Sequence, residues 1–352
     1  MARVTLQTIA DRVGVSRMTV SNAFSQPDQL SGQLRERILA TADELGYAGP
    51  DPAGRALARG TTGAVGVLLT DSLHEAFSDE VAARFLGAIA DELAPTGFAI
   101  TLLTSSERAD VVPARDVAID GALIYSCVTR STAKDWLVRR RLPIVVVDGD
   151  SSDGMGAVNI DDRGGARAAA QHLVELGHRR IGIATRSLDG TVGVIDAATY
   201  TAEISGHPQR ERMLGWTDAL HAAGITPAVT VAPDNTDATA RIAARQLLTG
   251  PERPTAVLCY SDLMALNVVG VANELGISVP AELSVVGFDD AAAADRASPG
   301  LTTVRQDVIA KGRAAAAALV GAISARRAGS IEPAAKFVLP TELVVRASTA
   351  PV

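Results

Sequence analysis

The sequence predicts a small all-α helix-turn-helix domain followed by a two-lobed, doubly wound α/β core. Three observations carry that prediction. The first sixty residues hold three short apolar-periodic stretches with helical spacing, two of them joined by a tight Gly-containing turn. From Thr62 onward, short apolar runs alternate with longer amphipathic stretches, the pattern of strand-helix units on a parallel sheet. The chain has 352 residues, and at roughly 100–200 residues per domain that is room for two or three domains. Hydrophobic residues make up 47% and charged residues 21%, too apolar for a disordered chain. The two cysteines, Cys127 and Cys259, are far apart in sequence and suit reduced thiols in the cytoplasm better than a disulfide scaffold. No secretory signal opens the chain, and uninterrupted apolar runs such as the one ending at Val147 fall far short of the ~20 residues that span a bilayer.

Along the first domain, Thr5 can cap a helix whose apolar positions Leu6, Ile9, Ala10 and Val13 share a face, and Gly14 supplies the left-handed position that ends it. Ser16 can cap a second helix burying Val20, Ala23 and Phe24. A third follows from Ser31, with Leu34, Ile38 and Leu45 inward and Gly46 at its end. If the second helix buries that face, Arg17, Met18, Ser21 and Asn22 point outward, where a recognition helix carries its base-reading side chains. Arg suits a guanine edge, Asn an adenine edge and Met a thymine methyl, while Ser16, Thr19 and Ser21 suit phosphate oxygens. A plain three-helix bundle with a solvated second helix fits the same pattern.

The whole-chain charge of −7 argues against a nucleic-acid partner, but the average hides a division. Residues 1–60 carry seven Arg and six acidic residues, hence +1, and the remaining 292 residues carry −8. After Tyr47, Gly49, Pro50 and Pro52 break the third helix. The following segment AGRALARG contains good helix formers but is too short to be helical alone, since isolated helices below ~12–15 residues are marginal in water. It reads as a segment that needs a partner to fold, or as a flexible linker.

In the core, the runs at 64–70, 98–104, 121–125, 143–148, 180–185, 229–233, 255–260 and 284–290 read as buried strands, and 79–95 and 131–142 among others as helices. Ligands of open α/β sheets gather beyond the carboxyl ends of the strands. The residues there are polar: Asp71 and Ser72, Asp148, Ser261 and Asp262, Asp289 and Asp290. Between Arg186 and His207 runs a long connection that reads equally as a lid or a tolerated insertion.

The stretch VTLQTIADRVGVSRMTVSNAF, followed by LRERILATADELGYAGPDPAGRALARG, resembles the headpiece of the LacI/GalR family of bacterial transcriptional repressors, and the core resembles that family's effector-binding region, similar to periplasmic sugar-binding proteins. The resemblance implies a headpiece at 1–48, a hinge at 49–61 and a two-lobed effector-binding and dimerisation core at 62–352. It implies DNA contacts from Thr5, Leu6, Ser16, Arg17, Met18, Thr19, Ser21 and Asn22. It also implies a hinge helix that inserts Leu57 into the minor groove of operator DNA, with Arg55 and Arg59 flanking it. For the effector it implies Phe77, Asp148, Asn159, Arg212, Ser261, Asp289 and Gln306. The pair Arg17 and Met18 is unusual for the family, so no operator sequence carries over.

An α/β enzyme or a solute-binding protein is the rival. No Gly-x-Gly-x-x-Gly follows the first strand, and neither a Gly-x-Ser-x-Gly elbow nor a phosphate loop occurs. The five histidines show no metal-ligand spacing. The expectation is therefore a cytoplasmic, homodimeric (or higher), sequence-specific DNA-binding repressor without cofactor, catalytic or metal site, whose affinity for double-stranded operator DNA is controlled by a sugar-like effector.

Overall fold

The computed structural model describes residues 4–49, 51, 54, 56, 60–69, 73–105, 111–125, 131–152, 154–187, 190–195, 200, 206–250, 252–330 and 335–352. The chain divides into two compact units, Met1–Gly63 and Ala64–Val352. Arg55, Leu57, Arg59, Asp71, Ser72 and Cys127 lie outside the described residues.

The first unit is three helices, α1 (Leu6–Val13), α2 (Arg17–Ser25) and α3 (Gly32–Glu44). Thr5 and Thr8 cap α1 reciprocally: the Thr8 amide donates to Thr5 Oγ1 at 3.3 Å and the Thr5 amide to Thr8 Oγ1 at 3.2 Å. Gly14 closes α1 at φ 79°, a conformation that favours glycine, and Ser16 caps α2 two residues later. That spacing makes the turn tight. Ile9, Ala10, Val13, Val20, Ala23, Ile38 and Ala42 form the buried centre. Phe24 is only partly covered and packs edge-on against Tyr47, with ring centroids 5.8 Å apart.

The second unit begins with β1 (Ala64–Leu69), α4 (Leu73–Ser78), α5 (Glu80–Leu93), β2 (Ala99–Thr104), α6 (Pro113–Asp116), β3 (Gly121–Tyr125), α7 (Thr132–Arg139), β4 (Ile144–Val147) and β5 (Gly156–Ile160). It continues with α8 (Asp162–Glu175), β6 (Ile181–Arg186), β7 (Gly193–Ile195), α9 (His207–Ala222), β8 (Ala228–Ala232), α10 (Asp237–Thr249), β9 (Ala256–Cys259), α11 (Asp262–Glu274) and β10 (Ser284–Asp289). It ends with α12 (Ala292–Arg296), β11 (Thr302–Gln306), α13 (Val308–Arg327), β12 (Lys336–Leu339) and β13 (Thr341–Val344).

Two sheets result. The first has order β12-β5-β4-β3-β1-β2 with every pairing parallel. The second has order β13-β11-β10-β9-β6-β8-β7, parallel except at its two edges, where β13 and β7 run antiparallel to their neighbours. Central strands are apolar on both faces because helices cover both. Ile144, Val145, Val146 and Val147 are all buried, and burying such side chains stabilises by about 1.5–3 kcal/mol each before entropy is subtracted. The chain passes between sheets after β5, after β11 through α13, and again between β12 and β13. Length and apolarity would let α13 cross a membrane, but here it packs on α5 and on β3, β4 and β5. A Cβ at Gly312 would stand 2.7 Å from the Ala88 Cβ, so glycine is what allows α13 and α5 to meet closely.

The connection from 187 to 206 is partly built into the fold. It contributes edge strand β7 and buries Tyr200, whose hydroxyl bonds the Arg186 carbonyl.

Candidate functional site

Strand order places the site. In the first sheet the order reverses between β1 and β3, and in the second between β6 and β9; such switch points leave a crevice at the carboxyl ends. The ends of those strands, Leu69 and Tyr125 in one sheet and Arg186 and Tyr260 in the other, line one cavity of about 310 Å³. It lies within the second unit. Asp148 and Asp289 end two further strands at its wall, at φ 52° and 114°, conformations that a non-glycine residue adopts only at an energetic cost.

A buried polar chain runs along the cavity. The Lys311 ammonium donates to Asp148 Oδ2 at 2.6 Å and to Gln306 Oε1 at 2.8 Å. Gln306 Nε2 donates in turn to Asp289 Oδ1 at 2.6 Å. The same Asp289 oxygen lies 3.6 Å from Arg212 Nη2, and Arg212 Nε donates to Asp162 Oδ1 at 2.7 Å. Arg212 also donates to the Tyr260 carbonyl, and its guanidinium carbon sits over the Phe288 ring, 3.6 Å from the centroid. Burial pushes the Asp289 carboxyl well above its ordinary range, against the pull of Arg212, and raises Asp162 likewise. Although burial opposes its charge, Asp162 and Asp289 together hold the Arg212 guanidinium protonated above its usual value. Burial also raises the Tyr125 and Tyr260 hydroxyls, so both are neutral donors at physiological pH.

Also lining the cavity, Asp79 caps α5 by accepting from the Ala82 amide at 2.9 Å, and its other oxygen lies 3.4 Å from Asn235 Nδ2. Ser261 donates to Asn235 Oδ1 at 2.7 Å while capping α11. Asp79 belongs to the first sheet's lobe and Asn235 to the second's, so this contact spans the cleft. A second bridge joins Asp150 after β4 to His207 and Arg210 in the first turn of α9. Arg210 holds the Asp150 carboxyl down to about 2.

Of the effector residues expected from the sequence, Asp148, Arg212, Ser261, Asp289 and Gln306 line the cavity. Two do not. Phe77 is 60% exposed on α4, a helical turn whose inward contacts come from Leu73 and Ala76. Asn159 is taken up by the backbone instead: its Oδ1 accepts from the Gly149 amide at 3.0 Å and its Nδ2 donates to the Gly149 carbonyl at 3.2 Å. It shapes the turn that follows Asp148 rather than the wall. Sequence reasoning missed Lys311, Asp79, Asn235, Arg186, Tyr125 and Tyr260. Lys311 carried a signal, a cation in the first turn of an Ala-rich helix, five residues after Gln306.

In the first unit, Arg17 and Met18 are exposed, Met18 at 69%, and Ser21 and Asn22 are half-buried on the same helix. Ser16 is occupied as the cap, accepting from the Thr19 amide at 3.0 Å, and Asn22 Nδ2 donates to Gln29 Oε1 at 2.9 Å. Thr5 is the α1 cap and Leu6 packs partly into the helical core.

Two family models match. Residues 5–49 match bacterial regulatory proteins of the lacI family, and residues 170–349 match a periplasmic binding protein-like domain. An HTH-type transcriptional regulator of Mycobacterium tuberculosis is 38% identical over 323 residues, 89% of each chain. The crystal structure of a LacI-family regulator from Corynebacterium glutamicum superposes with a TM-score of 0.71 at 33% identity, covering 100% of both chains. That of a CelR regulator in complex with cellobiose superposes with a TM-score of 0.70 at 28% identity, covering 98% of this chain and 100% of that one. With a helix-turn-helix unit ahead of two doubly wound sheets and relatives of this identity over nearly its whole length, the chain belongs to the LacI family of bacterial transcriptional regulators.

Proposed function

We propose that the protein is a homodimeric repressor that reads operator DNA with the exposed face of α2 and releases it when a small polyhydroxyl effector occupies the cavity. In this reading residues 1–48 are the headpiece, 49–61 the hinge, with Arg55 and Leu57 at the minor groove, and 62–352 the effector-binding core. The observation that carries it is the buried convergence of Asp148, Lys311, Gln306, Asp289 and Arg212 on one cavity. Carboxylates accept, ammonium and guanidinium donate, and an amide does both, so hydroxyls that donate and accept at once match them in sequence. A volume near 310 Å³ lies at the lower end of the roughly 300–1,000 Å³ of small-molecule pockets, which suits one or two sugar rings. The CelR–cellobiose complex supports a sugar as the class.

On the DNA side, Arg17 and Met18 are the most open side chains of α2, and Ser21 and Asn22 follow at helical spacing. A net charge of +1 over residues 1–60 gives one headpiece little counterion release, so two headpieces on a two-fold site supply the affinity together. The effector acts by favouring one arrangement of the lobes, which alters the support the two hinges give one another. The test is a thermal-shift screen of sugars and polyols on the full chain. Fluorescence anisotropy on DNA from the gene's own upstream region follows, with and without each stabilising compound. The expected result is a compound that both raises the melting temperature and lowers DNA affinity. A chain that no polyhydroxyl compound stabilises, or whose DNA affinity is unmoved by one that does, overturns the reading.

A further inference from the structure

We propose that the cleft selects an uncharged, hydroxyl-rich ligand and rejects the phosphorylated or carboxylated counterpart of the same ligand, and that the pair Lys311–Asp148 sets this selection. The proposal rests on reading the cavity as a polyhydroxyl site. Its first support is the charge inventory. The described cavity wall carries Arg186, Arg212 and Lys311 beside the acidic side chains Asp79, Asp148, Asp237 and Asp289, the last with its carboxyl pushed well up by burial. Lys311 is 1% exposed and its ammonium is matched by Asp148 and Gln306. Arg212 is matched by Asp162, with Asp289 beside it. A phosphate or carboxylate entering beside Lys311 and Arg212 would give up its hydration and meet two cations already paired with buried carboxyl oxygens, a cost that such pairing leaves uncompensated.

The second support is a buried acceptor without a proton. Asp148 is buried and lines the cavity; its Oδ2 holds Lys311, but its Oδ1 has no partner among the described residues. That oxygen is closed to solvent as well as unmatched, which is costly; a ligand hydroxyl removes the cost only where the wall around Asp148 yields to let it donate. A phosphate dianion or a carboxylate has no proton to donate and would set two acceptors against each other. The third support is where Lys311 sits. It lies in the first turns of α13, near the positive end of the helix dipole, so its charge is tolerated because Asp148 opposes it. Neutralising Asp148 would therefore release a buried cation toward the cavity and turn the site toward anions.

The experiment is isothermal titration calorimetry of the full chain with matched triples: glucose, glucose 6-phosphate and glucuronate, then the equivalent triples of other hexoses and of disaccharides. For at least one triple the wild type is expected to bind the neutral member about 100-fold more tightly than either charged member, because the site's buried acceptor goes unmatched with the latter. Asp148→Asn keeps an oxygen for Lys311 and removes the charge. It is expected to weaken the neutral member about tenfold and to bring the charged members to within tenfold of it or beyond. A wild-type chain that binds a charged member as tightly as its neutral counterpart overturns the selection whatever the variant does. An Asp148→Asn chain that keeps the wild-type ratio overturns the role of the pair. A wild-type chain that binds no member of any triple refutes the polyhydroxyl reading itself, and the inference falls with it.

Discussion

Asp150, in the loop after β4, receives Arg210 Nη1 and Nη2 at 3.0 and 2.9 Å from the first turn of α9, so a residue of one lobe is clasped by a residue of the other. The two groups are partly exposed, with 53% and 29% of their side chains accessible. A pair of that exposure contributes about 0–1 kcal/mol. Its consequence is geometric more than energetic, because it ties to one another the two lobes that wall the cavity. Asp150→Ala is expected to leave the urea midpoint nearly unchanged while weakening effector binding by roughly two- to fivefold. The wild-type advantage should shrink with added salt. Effector affinity equal to wild type at low salt would mean that closure does not depend on this clasp.

Arg212 is a different case because burial changes the magnitude. Its guanidinium bonds Asp162 and the Tyr260 carbonyl and stacks on Phe288, with 6% of the side chain accessible. Arg212→Ala would strand the Asp162 carboxylate in the interior, and removing one partner of a buried pair costs about 3–5 kcal/mol. Arg212→Lys keeps the charge but cannot form the same fork or stack, so it should recover stability only in part and effector binding not at all. Urea denaturation and calorimetry on both variants check this; a lysine variant that binds effector like wild type removes Arg212 from the ligand contacts.

Much of this arrangement is legible in the order of the amino acids, and the part that is not has a physical reason. The strand runs ending at Asp148 and Asp289 are apolar and bounded by polar residues, which places both positions at the carboxyl ends of strands. Strands β5 and β11, GAVNI and TTVRQ, are short and partly polar, and β12, KFVL, has only three apolar residues before Pro340, so no long hydrophobic run announces them. Without them the return of the chain through α13 has no sequence signature. That return is what brings Lys311 to Asp148 across 163 positions of sequence. Asn159 shows the converse: a polar residue near the expected site whose amide serves a turn, which only hydrogen-bond partners reveal.

For the headpiece, the exposure of Arg17 at the start of α2 permits a discriminating test. If Arg17 reads a guanine edge, Arg17→Ala should cost about 1–3 kcal/mol and relax preference at one position in each half-site. If it holds a phosphate, the loss should be uniform across sequences and the salt slope should fall by about one. Binding-site selection with wild type and variant, followed by anisotropy at several salt concentrations, separates the two. The expected outcome is the first, and a uniform loss assigns Arg17 to the backbone.

Asp262 contributes to the pH dependence. It is buried at the start of α11, accepting from Thr303 Oγ1 at 2.5 Å and from the Ala291 amide at 2.7 Å. Burial outweighs those bonds and pushes the carboxyl up from 3.8 to about 7. In the unfolded chain the group returns to its ordinary value, so between about 4 and 7 the folded chain binds a proton that the unfolded chain does not. Stability from this group is therefore present at low pH and is lost as pH rises through about 7. Urea midpoints of the wild type should fall between pH 5 and pH 8 by more than those of Asp262→Asn, which cannot titrate. Identical pH slopes for the two proteins would show that Asp262 is ionised throughout the range, its two hydrogen bonds prevailing over its burial.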